Sequence, residues 1–222
     1  MNNFPKAFLF DLNGTMVDDM EFHVKAWYGI LNDDLKANMS WEEVRSHMYG
    51  KNSELFKRVF GDNHFTDEEM NHWSMEKEKR YQQNFLPHLK LIKGLDEFLK
   101  EAKLKHIKTA IGSAAIPFNI NFVLDNLHIH DYFDAVVSAD DVVISKPHPE
   151  TYLKAAHLLG EVPEDCVVFE DAPKGVEAAA NAGMPSVVLT TMHNRNEFEM
   201  YDNVIAFVKD YTDPVLKSLF QN

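Results

Sequence analysis

The sequence predicts an α/β protein: a parallel sheet with helices on both faces, interrupted after its first strand by an all-helical insert. Two observations carry this expectation. Short apolar runs alternate with helical patterns along most of the chain, as parallel strands joined by helical crossovers require. The alternation fails from about Asp18 to about Pro87, where only amphipathic helical pattern is found. The expected division is therefore a core domain over residues 1–17 and 88–222 and a helical domain over 18–87. Two adjacent chain crossings would join them, as in a hinge.

The strands are expected at Ala7–Phe10, Thr109–Ile111, Ala135–Val137, Val167–Phe169 and Ser186–Leu189. Each is a short apolar run of the kind buried on both faces of a sheet. Between them, helices are expected at Leu95–Leu104, Pro117–Asn126, Pro149–Leu159 and Pro173–Ala182. The last stops at Gly183, with Pro185 two residues on, a helix-ending signal. Within the insert, Glu21–Leu31 has an apolar face. Ser40 stands three residues before Glu43, and Thr66 three before Glu69, the spacing of a capping box. A long polar helix follows Thr66 through Tyr81, and Trp27, Trp41 and Trp73, all 3 tryptophans, lie in the insert.

The 222 residues, 45% hydrophobic and 26% charged, can bury a full core without staples. Lys and Arg total 22 against 35 Asp and Glu, a net charge of -13. That field repels nucleic-acid backbones and anionic membrane surfaces, so neither is an expected partner. The single cysteine, Cys166, excludes a disulfide framework or cysteine-based zinc site. At the start of a buried run, it reads as a small core residue. No apolar run approaches the ~18 residues of a membrane span, and the run at Ala7–Phe10 is too short for a signal-peptide core. A cytoplasmic monomer is expected.

Four strand ends carry the candidate chemistry. In an open parallel sheet, ligands collect at the carboxyl ends of strands. Asp11 stands at that edge, and Gly14 permits a sharp turn after it. By itself Asp11 suits a turn cap equally well. Gly112-Ser113-Ala114 offers a hydroxyl and backbone amides to an oxyanion, or a helix cap. Lys146, between Ser145 and Pro147, is a point charge suited to phosphate, although surface lysines are commonly just solvated. Glu170 and Asp171 are adjacent acids ending a buried run. Either they are solvated loop acids, or something positive compensates them, and a hard divalent ion such as Mg²⁺ fits. Together these residues match phosphoryl transfer through an aspartyl phosphate. Glycine-rich nucleotide loops, H-E-x-x-H and G-x-S-x-G are absent.

These motifs resemble the haloacid dehalogenase superfamily over essentially the whole chain. The resemblance rests on Phe10-Asp11-Leu12-Asn13-Gly14-Thr15, Gly112-Ser113, Ser145-Lys146-Pro147 and Phe169-Glu170-Asp171-Ala172-Pro173-Lys174-Gly175-Val176, in that order. The insert resembles the helical cap of the β-phosphoglucomutase-like subgroup. The resemblance implies a Rossmann-like core with Asp11 as nucleophile and Ser113, Ala114 and Lys146 at the phosphate. It also implies a Mg²⁺ site of Asp11, the Asn13 backbone carbonyl, Glu170 and Asp171. The implied partner is a small phosphorylated metabolite, most simply a sugar phosphate undergoing hydrolysis. A β-phosphoglucomutase and a catalytically silent phospholigand-binding protein are the alternatives.

Asn13 departs from the family pattern, in which an aspartate at this position is the general acid and base. An amide cannot exchange a proton at a useful pKa, and such catalysis is worth roughly 10²–10⁴-fold. This form is therefore expected to be slow or inactive. In the insert, His23-x-x-x-Trp27 and Lys77 match the subgroup's substrate-contacting positions, although a surface histidine and a solvated lysine are the plainer readings. The arginine that grips a distal phosphate in the mutases aligns with Ser53, with Lys51 and Arg58 nearby. Asp140 and Asp141 are candidates to orient Lys146. His128 and His130 would share one side of an extended piece, without further ligands.

Overall fold

The computed structural model describes residues 5–221. Its strands are β1 (Ala7–Phe10), β2 (Lys108–Gly112), β3 (Ala135–Val137), β4 (Cys166–Glu170), β5 (Ser186–Leu189) and β6 (Val204–Val208). They form one parallel sheet in the order β3-β2-β1-β4-β5-β6. This order reverses direction between β1 and β4, the topological switch point where such sheets leave a crevice. Phe10 is in register with Ile111 on one side and Phe169 on the other. The residues that follow, Asp11 and Glu170, therefore emerge side by side.

The chain divides into two compact units, one of residues up to Asp18 and from Lys90 onward, the other Asp19–Leu89. The sheet unit carries α5 (Leu95–Leu104), α6 (Pro117–Leu127), α7 (Glu150–Leu159) and α8 (Pro173–Asn181). Residues of α7 and α8 bury Tyr152, Ala155, Ala178 and Ala179 against Leu9, Ala110 and Val168. Aromatic rings of Phe8, Phe10, Phe98, Phe169, Tyr211 and Phe220 pack together, Phe10 stacked on Phe169 at 4.8 Å. Each buried phenylalanine contributes about 1.5–3 kcal/mol, so the β1–β4 pair is firmly seated.

β6 was not expected from the sequence. It is an edge strand with Ile205 52% exposed, so it lacks the continuous buried run that marks a central strand. β3 is the other edge, and its Val136 is 40% exposed rather than buried on both faces. His128 caps α6 in the left-handed region, and His130 lies in a short 3₁₀ turn paired with Asp125 at 2.7 Å. The expected extended piece with both histidines on one side is not formed.

The helical unit contains α1 (Met20–Tyr28), a wide π-type turn at Gly29–Asp34, α2 (Trp41–Ser46), α3 (Asn52–Phe60) and α4 (Asp67–Phe85). Both capping boxes form: Ser40 with Glu43, and Thr66 with Glu69. Its core gathers Val24, Trp27, Ile30, Leu31, Val44, Leu55, Phe56 and Met70, with Trp41 and Trp73 packed against it.

Candidate active site

The crevice at the switch point is built from three strand ends and one loop. Asp11 leaves β1 and donates its backbone N–H to Phe169 O at 2.9 Å. Only 8% of Asp11 is exposed. Lys146, from the connection between β3 and α7, reaches into this edge. Its Nζ donates to Asp11 Oδ1 at 2.7 Å, to Glu170 Oε1 at 2.7 Å and to Tyr152 Oη at 2.8 Å. Burial works against its charge, but the carboxylates of Asp11 and Glu170 outweigh it and hold Lys146 above the usual lysine value. Lys146 is thus a buried, paired cation and not a solvated one. Asp141 instead accepts from Ser138 and pairs with Lys154, so it is not the carboxylate that orients Lys146.

Glu170 is fixed by four donors. Lys146 and Tyr152 donate to Oε1, while the backbone N–H groups of Asp171 and Ala172 donate to Oε2 at 3.0 and 3.1 Å. These fill its four lone-pair positions, so a metal ion bonding Glu170 directly would displace one of them. Tyr152 was not singled out from the sequence. Nothing in its local pattern distinguishes a core tyrosine on α7 from one whose hydroxyl bridges a lysine and a glutamate. Burial, followed by the charges of Glu170 and Asp11, raises its phenol well above the ordinary value, so it remains a hydrogen-bond donor.

Asp171 accepts from Thr15 Oγ1 at 3.5 Å. The backbone makes room for these acids at two glycines. Gly14 lies at φ +72, and a Cβ there would meet the Asp171 carboxylate. A Cβ on Gly175 would overlap Glu170. Asp11, Glu170 and Asp171 are all buried, with ligand atoms within 4.8 Å of one another. The carboxylates of Asp11 and Asp171, hard oxygen donors without soft ligands beside them, fit Mg²⁺. Asn13 is partly exposed, and its backbone bridges to Val17 in the turn after Asp11.

Ser113 follows β2, one residue beyond the level of Asp11. It is 1% exposed, and its Oγ accepts from Ala115 N at 3.1 Å. The hydroxyl proton is still available for donation. Ala114 lies beside it, partly exposed. Asp11, Ser113, Lys146, Glu170 and Asp171 thus share one sheet edge.

His23 and Lys77 belong to the helical unit, and they meet each other there. Lys77 Nζ lies 2.7 Å from His23 Nδ1 and 2.9 Å from Glu78 Oε2. Asn52 Nδ2 donates to Glu78 Oε1 at 2.7 Å. His23 stacks on Tyr81 at 3.7 Å, and Tyr81 Oη donates to Asp19 Oδ2 at 2.5 Å. Lys77 is 3% and His23 6% exposed, so neither is the solvated surface residue that helix position suggests. Arg58 donates to the backbone carbonyls of His47 and Tyr49 and lies over the Tyr49 ring at 3.8 Å.

A six-stranded parallel sheet with carboxylates and a lysine converging at its switch point defines an α/β enzyme core. The family profile of haloacid dehalogenase-like hydrolases matches residues 5–183, and the chain belongs to that family. It is 32% identical to the β-phosphoglucomutase of Bacillus subtilis over 187 residues, 82% of each chain. It is 30% identical to the fructose-1-phosphate phosphatase of Escherichia coli over 192 residues, 81% of this chain and 93% of that one. A solved β-phosphoglucomutase from Clostridium difficile superposes with a TM-score of 0.83, 25% identity and 97% coverage of both chains. The protein is an enzyme of the phosphatase and phosphomutase type within the family's β-phosphoglucomutase-like subgroup. No helix among its described residues is long and apolar enough to cross a membrane.

Proposed function

We propose that this enzyme hydrolyses a small phosphomonoester, a sugar phosphate or similar metabolite, through an aspartyl phosphate on Asp11. The reading rests on one observation: Asp11 meets Lys146 Nζ at 2.7 Å inside a buried cluster with Glu170 and Asp171. Lys146 donates to Asp11 Oδ1 and fixes the orientation of the carboxylate that acts as nucleophile. Asp11 attacks phosphorus in line, and the ester oxygen leaves with the electron pair of the broken P–O bond. The Ser113 hydroxyl, the Ala114 amide and Lys146 are the donors for the equatorial oxygens. Water then attacks the same phosphorus as the P–O bond to Asp11 breaks, its proton passing to solvent, from which the departed ester oxygen takes one up. Asp11, Asp171 and the Asn13 backbone carbonyl would hold Mg²⁺, with Glu170 beside them anchoring Lys146. When bound, the metal supplies charge neutralisation between two anions. Asn13 leaves the leaving group and the incoming water without a proton partner, so turnover is slow.

The second reading is a β-phosphoglucomutase, favoured by the Bacillus subtilis relative. Against it, Ser53 stands where a mutase needs an arginine. Lys77 and Arg58 are also committed to His23, Glu78 and backbone carbonyls. Hydrolysis of a monophosphate needs no grip on a second phosphate and accords better with these residues.

The test is phosphate release across a panel of phosphometabolites with Mg²⁺, using this chain and its Asn13→Asp form. Activity that disappears in Asp11→Ala and on chelation supports the reading; activity retained in Asp11→Ala refutes it. Formation of glucose 6-phosphate from β-glucose 1-phosphate and a bisphosphate primer, without free phosphate, would favour the mutase.

A further inference from the structure

The turn after β1 is closed from within and braced from elsewhere. Inside it, Gly14 N donates to Val17 O and Met16 N to Leu12 O, each at 2.8 Å. Its carbonyls at Gly14 and Thr15 accept from two side chains far along the chain. Thr191 Oγ1 donates to Gly14 O at 2.7 Å, and Tyr211 Oη donates to Thr15 O at 3.1 Å. Thr191 follows β5 and Tyr211 follows β6, both beyond residue 183, where the family match ends.

Tyr211 is itself anchored. Its N–H donates to Lys93 O at 2.9 Å, and its ring packs 5.5 Å from Phe98 and 5.7 Å from Phe169. It is 5% exposed. The turn it braces begins directly after Asp11, contains Asn13 and passes through the positive φ of Gly14, a conformation open to many alternatives in a free chain. A misplacement of about 1 Å at a reacting group can cost about 10²-fold in rate.

We propose that Thr191 and Tyr211 are positioning residues that clamp the 12–17 turn, so that the C-terminal segment completes the catalytic geometry of Asp11 and Asn13. The inference rests on the function proposed above. It requires the hydroxyls, not only the bulk, of these two side chains. Thr191→Val and Tyr211→Phe each remove a hydroxyl and keep the shape, while Thr191→Ser keeps the hydroxyl.

Amide hydrogen exchange over residues 12–17 is measured in the protein as it stands. Steady-state phosphate release with Mg²⁺ is measured in the Asn13→Asp background. Exchange should rise about tenfold in Thr191→Val and Tyr211→Phe. The kcat should fall about tenfold with KM nearly unchanged, a loss within the range for misplaced reacting groups. Thr191→Ser should restore both. Unaltered exchange in both hydroxyl-free variants overturns the clamp, as does faster exchange with an unaltered kcat. If no form releases phosphate, the hydrolase reading fails by itself, and the exchange data still decide whether the hydroxyls hold the turn.

Discussion

Asp11 and Glu170 share one ammonium, and this sharing sets the residue-scale behaviour. Lys146→Met leaves two buried carboxylates facing each other without a cation. Breaking such a pair costs about 3–5 kcal/mol, which urea denaturation should read as a lower midpoint. Lys146→Arg should not restore activity, because a planar guanidinium cannot replace a compact ammonium held by three acceptors. On the proposed mechanism Asn13 limits the rate rather than stability. Asn13→Asp should raise phosphate release by about 100-fold or more, the lower part of the general acid–base range. A steady-state assay that finds no gain removes this position as the limit on turnover.

Elements position these residues through their ends. The N-terminus of α8 packs against Glu170 so closely that only hydrogen fits at Gly175. Gly175→Ala should displace the Glu170 carboxylate and with it Lys146. Phosphate release in the Asn13→Asp background should fall at least tenfold, since small misplacements of reacting groups cost up to about 10²-fold. In the helical unit, α4 begins at a formed capping box. Thr66→Ala removes the side chain that accepts from Glu69 N and should cost about 1 kcal/mol. A thermal melt unchanged within error would show that the cap does not limit the unit's stability.

At the scale of the whole molecule, buried phenols make stability sensitive to alkali. Burial, then the Asp19 carboxylate, raises Tyr81 far above its ordinary value; burial, then Asp11 and Asp171, does the same for Tyr211. In the unfolded chain these phenols ionise near pH 10.0. Above that pH the unfolded state binds fewer protons than the folded state, so stability falls as pH rises. Each phenol contributes a loss of about 1.4 kcal/mol per pH unit. The urea midpoint should drop steeply between pH 10 and 11, and less steeply in Tyr81→Phe. A midpoint independent of pH in that window would show that the folded phenols ionise freely. The net charge of -13 does not prevent phosphate binding on this reading. On the proposed mechanism Asp11 and Asp171 would recruit a divalent cation, and Lys146 adds a further positive charge beside them.

Motifs whose physics is local were legible in the sequence. The central strands, the helices of the sheet unit, the Ser40 and Thr66 caps, and the residues at each strand end follow from runs, spacings and turn chemistry within a few residues. The edge strand β6 escaped because an edge is only partly buried and leaves no apolar run. Tyr152, Thr191 and Tyr211 escaped because their hydroxyls act across the fold, while their sequence context is that of ordinary core or loop residues. Lys77 looked solvated on a charged helix, yet it is enclosed by His23 and Glu78. The sequence by itself determined the fold class and the family, and it singled out Asp11, Ser113, Lys146, Glu170 and Asp171 as residues of one sheet edge. Only the tertiary structure decided which groups pair. Lys146 meets Asp11 across 135 residues and Glu170 across 24, because strand order at the switch point, not distance along the chain, brings charges together.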